Sequence, residues 1–598
     1  MTTPVYSFDV FDTCLVRSYA AGVDLLADAA RRVVPPGEDH DVVVGEVVRL
    51  RMAGEARARR DGRDAAPLDE VYAELPELAR LGVDPGHMCR VEMELERATL
   101  RPVAPTAARI AALRSQGARV LFISDMHLPA WFLRRSLEEH GLALPGDPVY
   151  VSGDLGLAKG TGRLYEHVLA QEGLEPHQLV HRGDDEWTDL ASAVARGVQV
   201  DPFPEGRLNR YERAVVTSAG TTPALRSRAA AVSRAVRLQE PAQTAADRLA
   251  AGLGADVVGP VLAGFASWLL ADARRRGLAR LCFSSGSGPV LLELAQLLRG
   301  PDDPACSAFD TVPVRRGGGP GLAGAAPDDL LPAYAAQEDL REGVRWALVD
   351  LGWSLDTLAA LRAALGPAAP ELGYALAVTH VRHPLEATGP FVAQVREDVP
   401  WGRKVLDGGW LLDAVELVEH LFVSADQGAC LGYERRDGRV LPVLGPARPA
   451  PAWSAALRRA VLAYARAARE AGLLDDGGAA ASAAGLEAGR SFVLHPTREE
   501  ALLFGATPVP DDPAEAVVRA IAPPLGVEDL VRRVQRRLGR RPDAPERPGH
   551  WSAASWAAAP PHVRIAVGVA QRAVPVVRRA RGVVRRGVGR ARASRGSR

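Results

Sequence analysis

The chain reads as an α/β protein whose first domain has a mostly parallel, Rossmann-like sheet with a helical insertion, followed by a second α/β domain and a basic tail. Three observations predict this. Over the first two hundred residues, short apolar runs that end in an acidic residue (VYSFDV, ARVLFISD, PVYVSGD, QLVHRGDD) alternate with helical sequence, the pattern of a sheet whose strands point the same way. From Asp24 to Leu100 the apolar positions recur three and four apart with no strand signal, which reads as a small helical insertion. Beyond residue 246 the strand-then-helix order returns in LARLCFSS and WALVDL.

At 598 residues the chain exceeds one ordinary core, so several packed units are expected. The reading places a first α/β domain at 1–205 with its insertion at about 20–100, a helical connector at 206–245, a second α/β domain at 246–445, helices and loops at 446–545, and an arginine-rich tail at 546–598. VYSFDV is a buried strand delivering Asp9 at its end. The helix TAARIAALRSQG closes on Gly117 and leads into ARVLFISD, followed by the helix WFLRRSLEEHGL. In the second domain, VGPVLAGFASWLLADARRRG precedes LARLCFSS, the turn GSG and the helix PVLLELAQLLRG, and WALVDLGWSLDTLAALRAALG is strand, turn and helix. The Gly- and Pro-rich stretch from Gly317 to Pro332 reads as a surface loop.

Composition narrows the classes. With 47% hydrophobic and 24% charged residues, the bulk is globular. No basic-then-apolar leader opens the sequence and no uninterrupted apolar run long enough to span a bilayer follows, so the cytoplasm is the expected compartment. Five scattered cysteines without a CxxC pair point to neither a zinc cage nor a disulfide framework. Of the 73 basic residues only Lys159 and Lys404 are lysines. Where charge alone suffices this chain uses arginine, so a lysine marks a position that needs a compact ammonium.

Four clusters carry chemistry. In FDVFDTCL, a carboxylate at a strand end, Asp9, is placed to attack a phosphoryl group. A backbone carbonyl two residues on, at Phe11, together with a later carboxylate, can hold a magnesium ion against the phosphate oxygens. Ser124 closes VLFISD with a hydroxyl for a transferring oxygen. Lys159 in GDLGLAKGTGRLY balances the nucleophile and substrate charge. In HRGDDEWTDL, Asp184 and Asp189 both reach the metal region. Each has a plain alternative: a turn or helix cap for Asp9 and Ser124, a solvated amine for Lys159, an acidic loop for GDDEWTD.

In order, spacing and flanking strands, SFDVFDTCLVR, ISDMHL, SGDLGLAKGTGRLY and GDDEWTDL resemble the four signature motifs of the haloacid dehalogenase-like (HAD) hydrolase superfamily across residues 5–205. The wording is similar to a branch of large bacterial proteins that often accompany enzymes of cell-surface polysaccharide assembly. The resemblance implies a Rossmann-like core, a helical cap, an aspartyl-phosphate intermediate on Asp9, and Mg²⁺ held by Asp9, Phe11, Asp184 and Asp189. The sequence departs from the phosphatase pattern at Phe11, where an aspartate usually protonates the leaving oxygen; Asp12 and Asp125 stand nearby as alternative proton sources. A cap of this size excludes water and selects a small phosphorylated metabolite. Arg51, Arg57 and Arg60 either read a second anionic group or line a solvated helix face.

Outside this span the signals are weaker. CFSSGSGP with Gly286 and Gly288, and VDLGWSLDT with Asp350, Gly352 and Thr357, are glycine turns after strands, where a phosphate can sit on backbone amides, or ordinary tight turns. His380 and His383 lack a partner spaced to complete a metal site. Trp346, Trp353, Trp401 and Trp410 read as core aromatics. The tail mixes Val and Ala with Arg, fitting an anionic membrane surface better than nucleic acid, with a disordered solvating tail as the alternative. The leading reading is a phosphate-ester hydrolase. Its rivals are a non-catalytic HAD-fold scaffold in envelope or glycan assembly, and a bifunctional protein whose second domain transfers activated sugars.

Overall fold

The computed structural model describes residues 4–59, 62–219, 221–284, 289–312, 330–353, 355–378, 391–395, 417–423, 428, 430–446, 450–510, 518–526, 528–529 and 551–563. Arg60, Gly286 and Gly288, most of the Gly317–Pro332 stretch, His380, His383, Trp401, Lys404, Trp410 and the basic tail from 564 onward lie outside the described residues. The chain divides into two compact units, residues 1–264 with 456–488, and 265–455 with 489–598.

The first unit is built on β1 (Val5–Phe8), β4 (Arg119–Ser124), β5 (Val149–Val151), β6 (Leu179–Gly183) and β7 (Gln199–Pro202), with β2 (Leu15–Arg17) and β3 (Leu100–Pro102) outside the main sheet. The five main strands run parallel in the order β5-β4-β1-β6-β7. Strands covered on both faces need unbroken apolar runs, and VYSF and RVLFIS supply them; Phe8, Leu121, Phe122 and Ile123 are all buried. Central β1 therefore presents Asp9 at its carboxyl end, the ligand side of such a sheet.

β2 and β3 pair antiparallel, Leu15 opposite Pro102 and Arg17 opposite Leu100. They pin together the two ends of the helical insertion: Gly22–Val33, His40–Ala58, Leu68–Ala73 and Pro85–Thr99. The last helix starts as its sequence dictates, with Pro85 in its first turn and the Asp84 carboxylate accepting the His87 amide. It buries Met88 and Leu95, and the first helix buries Leu25 and Ala29, in one shared apolar cluster. The insertion is thus a separate helical layer on a two-stranded stem.

The expected connector at 206–245 is part of this unit rather than a link. Helix Pro223–Gln239 buries most of its length and is tied back to the start of the chain. The Ser227 hydroxyl donates to Asp24 at 2.6 Å, and Arg234 donates to Asp12 at 2.8 Å. Nor do the helices beyond 446 form a region of their own, since 456–488 pack with the first unit. Ala245–Arg276 form a continuous helical run with a π-helical turn at Gly254–Val258. Among the described residues it is long and apolar enough to cross a membrane, where the sequence reading found no run of that length, and 89% of its apolar window is buried inside the protein.

The second unit holds another parallel five-stranded sheet, formed by β8 (Arg280–Ser284), β9 (Ala305–Phe309), β10 (Trp346–Trp353), β11 (Leu372–Val378) and β12 (Phe391–Val395), in the order β12-β11-β10-β8-β9. An antiparallel pair, Cys430–Arg436 with Arg439–Leu444, follows it. The turn expected at Gly352 is not there: the strand continues through it, with Gly352 opposite Ala377 and Trp353 opposite Val378. The chain turns instead at Leu355, whose φ of 56° precedes the helix Asp356–Leu365. Trp346 is fully buried and its indole N–H donates to the Ala368 carbonyl.

Candidate active site

Asp9, Lys159, Asp184 and Asp189 come together at the carboxyl ends of the first sheet. The Lys159 ammonium donates to Asp9 Oδ1 and to Asp189 Oδ1, each at 2.5 Å, and Lys159 is 2% exposed. Oxygens of Asp9, Asp184 and Asp189 all lie within 4.8 Å of one another. Asp184 also accepts the Thr13 hydroxyl at 3.3 Å and Arg207 Nε at 3.2 Å. Arg207 spreads its other nitrogens over Asp185 and Glu186.

Local structure fixes each of these groups. Asp185 accepts the amides of Trp187 and Thr188 and so starts the π-helical turn Glu186–Ala191, which carries Asp189 inward. Asp189 folds back to accept the Asp185 amide at 3.0 Å. Gly183 makes room for this: a Cβ there would lie 2.4 Å from the Asp189 carboxyl carbon. Lys159 sits on a loop whose amides at 159 and 160 are both held by Asp125, at 2.8 to 3.4 Å. Ser124, buried at the end of β4, lies on the strand neighbouring that of Asp9.

Phe11 and Asp12 occupy the turn after β1. The Arg17 guanidinium lies 4.1 Å from the centre of the Phe11 ring, and its Nε contacts both oxygens of Glu96 on the insertion at 2.9 Å. Asp12 adopts a left-handed φ of 58° and accepts Arg234, which also donates to the Arg17 and Tyr19 carbonyls. Gly206 packs so closely on this turn that any side chain there would collide with the Asp12 carbonyl.

Sequence reasoning missed several members. Ser7 and His181, directly opposite one another on β1 and β6, extend the network behind the site. Ser7 Oγ is 2.8 Å from His181 Nδ1, and His181 Nε2 is 3.2 Å from Asp189. A carboxylate only accepts, so Nε2 carries the proton and Nδ1 accepts the Ser7 hydroxyl. Their signal was a polar residue inside an otherwise apolar strand. Arg207 and Arg234 gave no signal, being arginines in an arginine-rich helical segment. Arg51, weighed as an anion reader, is buried and bound by Glu92 at 2.8 and 2.9 Å, with the Tyr72 hydroxyl on the same carboxylate. Arg57 pairs with Glu77.

The charges do not balance within the cluster. Burial, with Asp189 and Asp184 nearby, pushes the Asp9 carboxyl well up, against the pull of Lys159. Burial works in the same sense on Asp189, yet Lys159 and the hydrogen bond from His181 hold it well below the ordinary carboxylate range. Lys159 stays charged despite burial because Asp189 and Asp9 flank it. Burial, then Asp12 and Asp189, push Asp184 up to about 6. Burial lowers His181, in keeping with the neutral tautomer. Lys159 bridges Asp9 and Asp189 while Asp184 shares Arg207 with two other acids; the three carboxylates form a hard-oxygen set, and that donor set fits a divalent cation such as Mg²⁺.

A central strand delivering an acid, a helical insertion on a two-stranded stem, and a loop lysine with two further acids gathered beyond the strand ends give this unit a Rossmannoid α/β architecture. No protein-family model matches the chain, and no curated protein sequence matches it. Among solved structures it is similar to an L-2-haloacid dehalogenase from Xanthobacter autotrophicus with chloropropionic acid covalently bound, at 17% identity over 38% of this chain and 87% of that one, TM-score 0.28. It is similar to a HAD-hydrolase from Bacillus subtilis bound to magnesium, at 16% identity over 34% and 90%, TM-score 0.26. A HAD phosphatase from Thermococcus onnurineus matches at 18% identity over 33% and 85%, TM-score 0.25.

Proposed function

We propose that the first unit is a hydrolase that transfers the phosphoryl group of a small phosphorylated metabolite to Asp9 and then to water. The observation that carries this reading is the gathering of Asp9, Asp184 and Asp189 around Lys159 at the strand ends. A nucleophilic carboxylate, a fixed cation and a set of oxygen donors are what in-line phosphoryl transfer requires. Asp9, Asp184 and Asp189, with the Phe11 carbonyl, would hold Mg²⁺. That ion supplies charge neutralisation at the transferring oxygens.

The chain's own residues do the rest. Lys159 keeps Asp9 oriented and offsets the charge of the incoming phosphate. Ser124, buried on the strand beside Asp9, offers a hydroxyl to a transferring oxygen. The Asp125 clamp on the amides of 159 and 160 fixes the lysine loop, and the helical insertion excludes water and selects a small substrate. The cytoplasm is the proposed compartment.

The test uses the full-length protein with Mg²⁺ and a donor panel of acetyl phosphate, aryl phosphates, phosphorylated sugars and nucleotides, with Asp9→Asn as control. The sugars enter the panel because of the glycan setting of the proteins this sequence resembles. Phosphate release that Asp9→Asn abolishes is expected. Equal background rates for both proteins would sink the hydrolase reading in favour of a non-catalytic scaffold.

A further inference from the structure

The helical insertion touches the loop that carries Lys159. Between the insertion helices His40–Ala58 and Leu68–Ala73, the segment 62–67 runs against residues 156–163. The Asp64 amide donates to the Gly156 carbonyl at 2.9 Å, and the Leu68 amide donates to the His127 carbonyl at 2.8 Å. The Asp64 side chain, 17% exposed, makes the return contacts. Its Oδ2 accepts the Ala158 amide at 3.1 Å and the Thr161 hydroxyl at 2.7 Å, and its Oδ1 accepts Arg163 at 3.3 Å. Arg163 also donates to the Gly62 carbonyl at 2.9 Å. The two segments meet with no room to spare: Gly156 has a left-handed φ of 68°, and a Cβ there would lie 3.0 Å from Arg63 Cγ.

Three consecutive amides of the lysine loop are thereby given to two carboxylates. Asp125, which follows β4, accepts those of Lys159 and Gly160; Asp64, on the insertion, accepts that of Ala158. A backbone N–H drawn out of water needs an acceptor, and a carboxylate makes the stronger hydrogen bond. The core supplies one of these acids and the insertion supplies the other. Lys159 is the next residue after the amide that the insertion holds, and its ammonium meets Asp9 and Asp189 at 2.5 Å each. Contacts that short tolerate little displacement of the backbone beneath them.

We infer that Asp64 is a positioning residue: seating the insertion on the core sets the lysine loop, and with it the placement of Lys159 against Asp9. Asp64 acts through the loop, and its effect on rate rests on the phosphoryl-transfer reading above. With the insertion lifted, the Ala158 amide and the Thr161 hydroxyl lose their shared acceptor and the lysine gains freedom. The cation that offsets the incoming phosphate is then fully in place only when the insertion is seated, which ties substrate enclosure to assembly of the site.

The chain has two lysines, so Lys159 can be followed without reference to turnover. Full-length protein is labelled briefly with acetic anhydride, and peptide mass spectrometry reads acetylation of Lys159 against Lys404 in the same sample. Lys159 is 2% exposed and should label slowly. Asp64→Ala should raise its labelling about tenfold, the effect on local opening of losing one charge-assisted hydrogen bond. Asp64→Asn keeps an accepting oxygen for the loop and should return labelling to within about twofold of wild type. Thr161→Val, which removes one of the two loop contacts, should raise it about threefold and serves if Asp64→Ala fails to fold. On the best donor for the wild type, kcat of Asp64→Ala should fall roughly tenfold to a hundredfold, with KM within about threefold and recovery in Asp64→Asn. Glu77→Ala, on the insertion and paired with Arg57, should change neither readout. Unchanged Lys159 labelling in Asp64→Ala and Thr161→Val, a rise that Glu77→Ala matches, or raised labelling with kcat intact would each overturn the inference. If no donor gives Asp9-dependent release, the hydrolase reading falls and the labelling still decides the role of Asp64.

Discussion

Both units carry a parallel five-stranded sheet, yet among the described residues only the first concentrates charge at its strand ends. In the first sheet the end of the central strand meets Lys159 and the acids of the neighbouring strand ends, and their demands are unmet within the cluster. In the second, the described polar groups at the strand ends satisfy one another. Ser284 and Thr311 share a hydrogen bond at 3.3 Å. Asp310 takes the Tyr334 hydroxyl on its carboxylate and the Tyr433 hydroxyl on its carbonyl. The shared topology supplies an address for a ligand; chemistry needs side chains that packing leaves unsatisfied.

The sharpest way to break the contrast is Asp9→Asn. It keeps shape and burial but removes the nucleophile, and a loss of turnover on the order of 10⁴-fold or more is expected, since a covalent step has no substitute. Phosphate release from acetyl phosphate measures it. Retention of a tenth of the wild-type rate would mean that the charge at the first sheet's edge serves another purpose.

Next in size is the loss expected from Arg234→Ala, which bears on how much of the site the sequence displayed. The four clusters were visible because strand-end acids and a rare lysine stand out from their surroundings. The helix bearing Arg234 was not, because in a chain with two lysines an arginine carries no information, and a surface-like helical pattern reads as a link. Its burial is a tertiary fact: Arg234 ties helix Pro223–Gln239 to the turn that follows the nucleophile. The same holds for Arg51, whose role was set by Glu92, forty-one residues away in sequence. Removing a buried partner costs about 3–5 kcal/mol, and because Asp12 is 36% exposed we expect about 2–4 kcal/mol by urea unfolding. Arg234→Lys should recover little, since one ammonium cannot span a carboxylate and two carbonyls. A change below about 0.5 kcal/mol, the size of an ordinary surface substitution, would restore the view of 206–245 as a connector.

Asp184 tests whether the imbalance of the first sheet is real. Its carboxyl sits at about 6 against an ordinary 3.8, so the folded chain holds that proton more tightly than the unfolded one. The group costs nothing while both states are protonated. As pH rises from about 4 to 6 the fold loses stability, and above 6 the loss is complete, about 3 kcal/mol at most. Mg²⁺ binds the ionised form, so saturating Mg²⁺ should raise the thermal midpoint more at about pH 7.5 than at about pH 5. Equal shifts at both would show that the cation does not meet Asp184.

The smallest effect belongs to the second sheet. Ser284 and Thr311 are 7% and 6% exposed and share one hydrogen bond, so removing both hydroxyls together, as Ser284→Ala with Thr311→Val, leaves no orphaned partner in that pair. Either single substitution strands the other hydroxyl and should cost about 1–3 kcal/mol, whereas the double should come within about 1 kcal/mol of wild type. Turnover at Asp9 should not change in any of the three. A double variant that lost more than either single, or that altered phosphate release, would show that these strand-end hydroxyls serve something beyond each other. The second sheet would then have to be read, like the first, as the edge of a site.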